Sequence, residues 1–207
     1  MKLLIASDNA KKRAELQALL DPLGLQLALP SEIGGLPAVA EDEPTFAGNA
    51  RLKAVSGARA SGLWTLADDS GLEVEALGGE PGVRSARFAG RHGDDQANNA
   101  LLLERLRAVP PERRGARFVC ALALARPDGS LALALEGEAR GRILDSPRGA
   151  GGFGYDPLFL FSEPGFEQSG RVFGELAPAE KALVSHRGRA LRRLAALLPS
   201  VLRGSPA

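Results

Sequence analysis

Cysteine and histidine are almost absent: one Cys and two His stand among 207 residues. The lone Cys120 excludes an intrachain disulfide framework, and two histidines leave no Cys/His cluster spaced for zinc. Aromatics are equally scarce at 5%, with one Trp and one Tyr, which argues against an RNA-binding sheet of stacked rings. Lys and Arg total 26 against 25 Asp and Glu, so a net charge of +1 gives no general pull on nucleic acid or anionic lipid. No apolar run approaches the roughly 18 residues of a membrane span, and the start MKLLIASDNAKK turns polar too soon for a secretory leader. The expectation is a protein of the reducing cytoplasm with neither a nucleic-acid nor a membrane partner.

What remains is ordinary globular composition, 44% hydrophobic and 25% charged. Lys2 to Ala6 reads as a short buried strand, and Leu16, Leu19, Leu20 and Leu23 follow helical spacing. Residues 30–44 form a Pro- and Gly-rich loop; Thr45 caps a helix running through Ala58, on which Asn49 and Lys53 share a face. Trp64 to Ala67 reads as a strand stopped by Asp68-Asp69-Ser70-Gly71, with a second strand at Leu72 to Leu77. Asp94-Asp95 opens a Leu-rich helix that Pro110-Pro111 closes. Arg117 to Ala125 and Ser130 to Glu136 form a hairpin turned at Pro127-Asp128-Gly129. A Gly-rich loop at 147–157 leads into the apolar run Leu158 to Phe161, and a helical tail from about Pro178 to Leu202 ends in a frayed stretch at 203–207. Helices alternating with strands, interrupted by a hairpin, predict a mixed α/β sheet in one domain over 1–207.

Three constellations carry chemistry. In the first turn, Ser7, Asn9, Lys11 and Lys12 stand at a helix start, where backbone N–H groups attract anions; the plain alternative is a capped helix with solvated lysines. No GxxxxGK[ST] occurs, so the turn is not a P-loop. Asp68-Asp69 after a buried strand suits a divalent cation or a proton acceptor for water, with Glu41 and Asp42 as further oxygen donors. The competing reading there is a solvated turn. Gly149 to Gly154 matches GxGxxG, yet Ser146-Pro147-Arg148 precedes it and Tyr155-Asp156-Pro157 leads into a strand, the reverse of a dinucleotide fingerprint. Phe153 and Asp156 instead offer a base one flat surface and one acceptor. Ser185-His186-Arg187 places donors where the last helix breaks or faces a cleft.

Read together, Ser7-Asp8-Asn9-Ala10-Lys11-Lys12, Thr45-Phe46 with Asn49-Ala50 and Lys53-Ala54, Ala67-Asp68-Asp69-Ser70-Gly71, Gly78-Gly79-Glu80-Pro81-Gly82 with Ser85-Ala86-Arg87, Gly151-Gly152-Phe153-Gly154-Tyr155-Asp156-Pro157, and Lys181 with Ser185-His186-Arg187 resemble the Ham1 or inosine triphosphate pyrophosphatase family. The match is in register from about residue 2 to 198. The resemblance implies an elongated, two-lobed α/β protein with a mixed sheet, flanking helices and a central substrate cleft, assembled as a homodimer. It implies Mg²⁺-dependent hydrolysis of purine nucleoside triphosphates outside the standard set, such as ITP, dITP and XTP, to the monophosphate and pyrophosphate.

Carried onto this chain, the family pattern puts phosphates at Ser7, Asp8, Asn9, Ala10, Lys11 and Lys12, with Lys53 neutralising them. It gives Glu41 and Asp69 to the metal, Asp69 also to the attacking water, and Ser70 to the substrate. Phe153, Gly154, Tyr155, Asp156, Lys181, His186 and Arg187 fall where the family grips nucleoside and base. Donors such as Arg187 facing O6 would favour hypoxanthine over adenine, whose amino group leaves them unpaired at about 1–3 kcal/mol per buried group.

The chain departs from that pattern in Glu43-Pro44, where many members have Gly, in Lys11 for Gly, and in Gly48, where many members have a Glu; no metal role is therefore expected on that helix. Other readings are a Maf-like nucleotide pyrophosphatase of different base specificity, a silent nucleotide-binding module, which would not need Asp68-Asp69, and a nicotinamide oxidoreductase.

Overall fold

The computed structural model describes residues 2–7, 16, 17, 20, 21 and 24–202. Asp8, Asn9, Ala10, Lys11 and Lys12, together with the tail 203–207, lie outside the described residues. The strands are β1 (Lys2–Ile5), β2 (Gln26–Ala28), β3 (Trp64–Val74), β4 (Gly115–Ala125), β5 (Leu131–Ile143) and β6 (Phe159–Phe161). The described α-helices are α1 (Phe46–Ser61), α2 (Asp95–Arg105), α3 (Pro178–Val184) and α4 (His186–Leu202). The sheet order is β2-β1-β3-β4-β5-β6. β1 pairs in parallel with β2 and β3, whereas β6 runs antiparallel to β5, so the sheet is mixed as expected.

The chain divides into two units. The first comprises Met1–Asp69, Cys120–Gly137 and Gly188–Ala207. Its core gathers Leu3 and Ile5 of β1, Leu16 and Leu20, Leu66, alternate residues of β4, and Leu191, Leu194 and Leu198 of α4. Burying each such side chain contributes about 1.5–3 kcal/mol, which is why this otherwise polar segment folds around them. α1 begins where its sequence says: Thr45 is extended and its hydroxyl accepts from Gly48 N–H at 3.1 Å. Gly62, at φ +67°, ends the helix three residues beyond the expected boundary.

The second unit comprises Ser70–Val119 and Glu138–Arg187. Its core is aromatic, with Phe118, Phe159 and Phe173 packed at centroid distances of 4.7 to 5.9 Å. α2 is capped by Asp94, whose Oδ1 accepts from Ala97 N–H at 3.0 Å.

Two expectations are corrected here. β3 is one strand of 11 residues, not two, so Asp68 and Asp69 stand inside it and not at its end. Residues of turn character remain extended because tertiary partners, described below, satisfy them. β5 continues to Ile143, past the expected stop at Glu136, because Glu138 and Arg140 lie on a charged face where Arg117 and Glu138 pair at 3.0 Å and Arg140 and Glu138 at 2.8 Å. The helical tail breaks at Ser185, one of the two options read at Ser185-His186-Arg187: the residue is extended at φ −69° and ψ 153° and separates α3 from α4.

Candidate active site

In the first unit the acidic strand and α1 converge. Asn49 and Lys53 are four residues apart and share one helix face, so both reach β3. Lys53 Nζ lies 3.0 Å from Asp69 Oδ1 and 3.4 Å from Glu41 Oε2. Asn49 Nδ2 donates to the other oxygen, Asp69 Oδ2, at 3.3 Å. The same amide also clasps the loop: Asn49 Oδ1 accepts from Glu43 N–H at 3.1 Å, and Nδ2 reaches Glu43 O at 3.5 Å. Asn49 thus ties the loop that carries Glu41 to the carboxylate of Asp69. Sequence reasoning put Asn49 on the Lys53 face but gave it no part in the site; the four-residue spacing was the signal.

The electrostatics of this cluster are fixed by proximity. Burial, the largest single influence on Lys53, lowers its pKa, but the charges of Asp69, Asp68 and Glu41 together outweigh it and hold the ammonium above its ordinary value of 10.5. A lysine with a raised folded pKa contributes stability that is complete below the unfolded value and is lost only as pH climbs through the folded one. The difference in urea midpoint between wild type and Lys53→Met is therefore expected to stay flat from about pH 6 to 9 and to shrink only above about pH 10.5. A difference that falls away between about pH 7 and 9 would contradict a protonated, carboxylate-held Lys53.

Glu41 and Asp69 present hard oxygen donors to one point, the Lys53 ammonium, so they also suit a divalent cation of oxygen preference. Among the described residues no group of three or more His, Cys, Asp or Glu is arranged to hold a metal. Two carboxylates with the remaining positions left to phosphate oxygens and water is the coordination that Mg²⁺ favours. At Gly48 an added Cβ would stand 2.7 Å from Glu43 Cβ and 2.9 Å from Glu43 Oε2. The loop carboxylate of Glu43 fills the space that a side chain on the helix would need.

The second unit holds the aromatic and cationic set. The ring of Phe153 has Lys181 Nζ 4.9 Å and the Arg187 guanidinium 5.7 Å from its centroid. Lys181 Nζ is 2.6 Å from Asp156 Oδ2, a buried ion pair, and the same oxygen accepts from Phe153 N–H at 2.8 Å. An added Cβ at Gly152 would stand 2.1 Å from that oxygen, and its φ of +75° also demands glycine. Arg187 Nη2 donates to Ser70 Oγ at 2.9 Å, joining the end of the β3 motif to the start of α4. Both Arg187 and His186 are buried by the break at Ser185, and the His186 ring stacks on Phe118 at 4.7 Å.

Several predicted residues have other geometry. Tyr155 is buried and its hydroxyl donates to Ser85 O at 2.9 Å; burial, aided by the charge of Asp95, pushes the phenol well above its ordinary value. Gly154 directs its backbone to α2. Ser7 follows β1, and its N–H donates to Ile5 O at 3.0 Å. Ser85, absent from the predicted set, accepts from Leu72 N–H at 2.8 Å and so anchors the irregular stretch after β3.

Comparison with known proteins gives the chain its relatives. The Ham1 family profile matches residues 3–197. A dITP/XTP pyrophosphatase of Mycobacterium bovis is 52% identical over 206 residues, covering 98% of each chain. One of Corynebacterium diphtheriae is 49% identical over 201 residues, covering 96% of this chain and 97% of its own. A HAM1 protein structure from Coxiella burnetii superposes with a TM-score of 0.86 at 39% identity, covering 97% of this chain and 99% of that one. The structure of a nucleoside-triphosphatase, dITP/XTP pyrophosphatase, from Mycobacterium abscessus gives a TM-score of 0.77 at 49% identity, covering 96% of this chain and 100% of that one. By sequence along nearly its whole length and by fold, the chain belongs to the Ham1 family.

Proposed function

We infer that this protein hydrolyses dITP, XTP and ITP to the nucleoside monophosphate and pyrophosphate, removing them from the nucleotide pool. The observation that carries the reading is the half-buried Lys53 ammonium shared by Asp69 and Glu41, in a chain half identical to dITP/XTP pyrophosphatases. A triphosphate is a dense negative charge, so its hydrolysis depends on positioning and on fixed positive charge. Lys53 offsets that charge from α1. Asp69 accepts the proton of the attacking water at one carboxylate oxygen while Asn49 and Lys53 fix its orientation. Glu41 and Asp69 would hold Mg²⁺, which when bound draws charge from the phosphate oxygens. The water oxygen joins phosphorus as the bond linking the monophosphate to pyrophosphate breaks, so pyrophosphate leaves intact.

Ser7, Asp8, Asn9, Ala10, Lys11 and Lys12 are assigned to the phosphates. Base recognition is assigned to the second unit: Phe153 supplies an aromatic face, Asp156 and Lys181 a paired charge, and Ser70, His186 and Arg187 polar contacts. Gly154 and Tyr155 complete that loop. Donors facing O6 favour hypoxanthine and xanthine over adenine.

The protein is further assigned to the cytoplasm as a homodimer; none of the described helices is long and apolar enough to cross a membrane. The functional test offers dITP, XTP, ITP, dATP, dGTP and NADH with Mg²⁺ and measures pyrophosphate and orthophosphate separately. Pyrophosphate from dITP, XTP and ITP, with little from dATP, is expected. Orthophosphate as the product, or equal turnover of dATP, would overturn the reading.

A further inference from the structure

Helix α2 takes no part in the site as described so far, yet it holds the loop that carries Phe153. Gly154 sits at φ +61°, a left-handed conformation open to glycine, and both of its backbone polar groups are bound by α2. Its N–H donates to Asp95 Oδ2 at 2.8 Å, and its carbonyl accepts from Asn99 Nδ2 at 3.0 Å. Asp95 and Asn99 are four residues apart and so present one helix face.

Neither residue supplies the cap of α2. Asp94 already caps the helix, and Asn98 holds the preceding turn, accepting from Ala89 N–H at 2.8 Å and donating to Ala86 O at 3.3 Å. The helix start therefore divides its polar side chains between two tasks. Asp94 and Asn98 build local structure, and Asp95 and Asn99 grip a loop more than 50 residues away in sequence. On the other side of Phe153, its own N–H is fixed by Asp156, which Lys181 holds in turn. The ring is thus carried on a backbone pinned at two successive peptides by different elements.

We propose that Asp95 and Asn99 are positioning residues for base recognition: through Gly154 they set the aromatic face of Phe153 against Lys181 and Arg187, and so govern affinity and base selectivity. The proposal rests on the function assigned above. It touches no group that offsets the triphosphate or accepts the proton, so the chemical step is separate from it.

The test compares wild type with Asp95→Ala, Asn99→Ala and the shape-conserving Asp95→Asn, measuring kcat and KM for dITP and for dATP together with Tm. Each alanine variant removes one hydrogen bond to the loop. It is expected to raise KM for dITP about 10-fold and to narrow the dITP-to-dATP ratio of kcat/KM, with kcat within about twofold of wild type. Asp95→Asn, which keeps an acceptor oxygen, recovers most of the loss. A residue that only stabilised the fold would lower Tm and the active fraction for both substrates alike, leaving KM and selectivity unchanged, and that result would overturn the proposal. So would a loss of kcat at constant KM. Failure of the functional reading looks different, because wild type itself would then release no pyrophosphate from dITP.

Discussion

Asp69→Asn is expected to lower kcat for dITP by about 10²–10⁴-fold while the protein remains folded. The asparagine keeps the shape of the side chain and a carbonyl oxygen for Asn49, so the packing of β3 on α1 survives. Lys53 remains beside Glu41 and within the field of Asp68, so its half-buried ammonium keeps a counter-charge. What disappears is the anionic oxygen that takes a proton from water. Far-UV circular dichroism and thermal unfolding establish the fold, and pyrophosphate release establishes the chemistry. Turnover at the wild-type level would remove Asp69 from the mechanism.

Lys53→Ala is the second large effect, an expected loss in kcat/KM for dITP of about 10²–10³-fold, the range seen when one fixed electrostatic partner of a transition state is removed. The lysine is the one cation that the structure draws against both Glu41 and Asp69 among the described residues. Without it the ammonium that Glu41 and Asp69 share is gone, and the triphosphate loses that fixed positive charge. The loss therefore falls on kcat and on KM together. An unchanged kcat/KM would exclude Lys53 from phosphate neutralisation.

How much of this was legible in the residues depended on whether local rules or distant partners decided each element. Thr45 and Asp94 cap their helices through neighbours three positions away, and both caps were readable. Asp68-Asp69-Ser70-Gly71 has the composition of a turn and is instead strand. Asp69 finds its partners on α1, and Ser70 Oγ accepts from Arg187, 117 residues away. No local pattern encodes such distant partners, and they override turn propensity. β5 was cut short for a related reason, since charges that would end an isolated strand are paired across a neighbouring one.

The candidate site followed the same division. Lys53, Asp69 and Glu41 emerged from family-like motifs and meet at one ammonium. Asn49 was visible on the right helix face, but its double duty to Asp69 and Glu43 required the loop to be placed in space. Asp95 and Asn99 carried no chemical signal: in sequence they are polar residues early in a helix, and the partner they share, Gly154, lies more than 50 residues away. Gly48 had a sequence meaning, a missing side chain, and acquired a structural one as the space taken by Glu43.

The central claim is that Lys53 and Asp69 act as one hydrolytic unit on the triphosphate. The most direct measurement is a double-mutant cycle on kcat/KM for dITP with Asp69→Asn, Lys53→Ala and the combined variant. If the two groups serve one transition state, the combined variant is no more than a few-fold slower than Asp69→Asn alone. Losses that multiply, as for two independent residues, would contradict it.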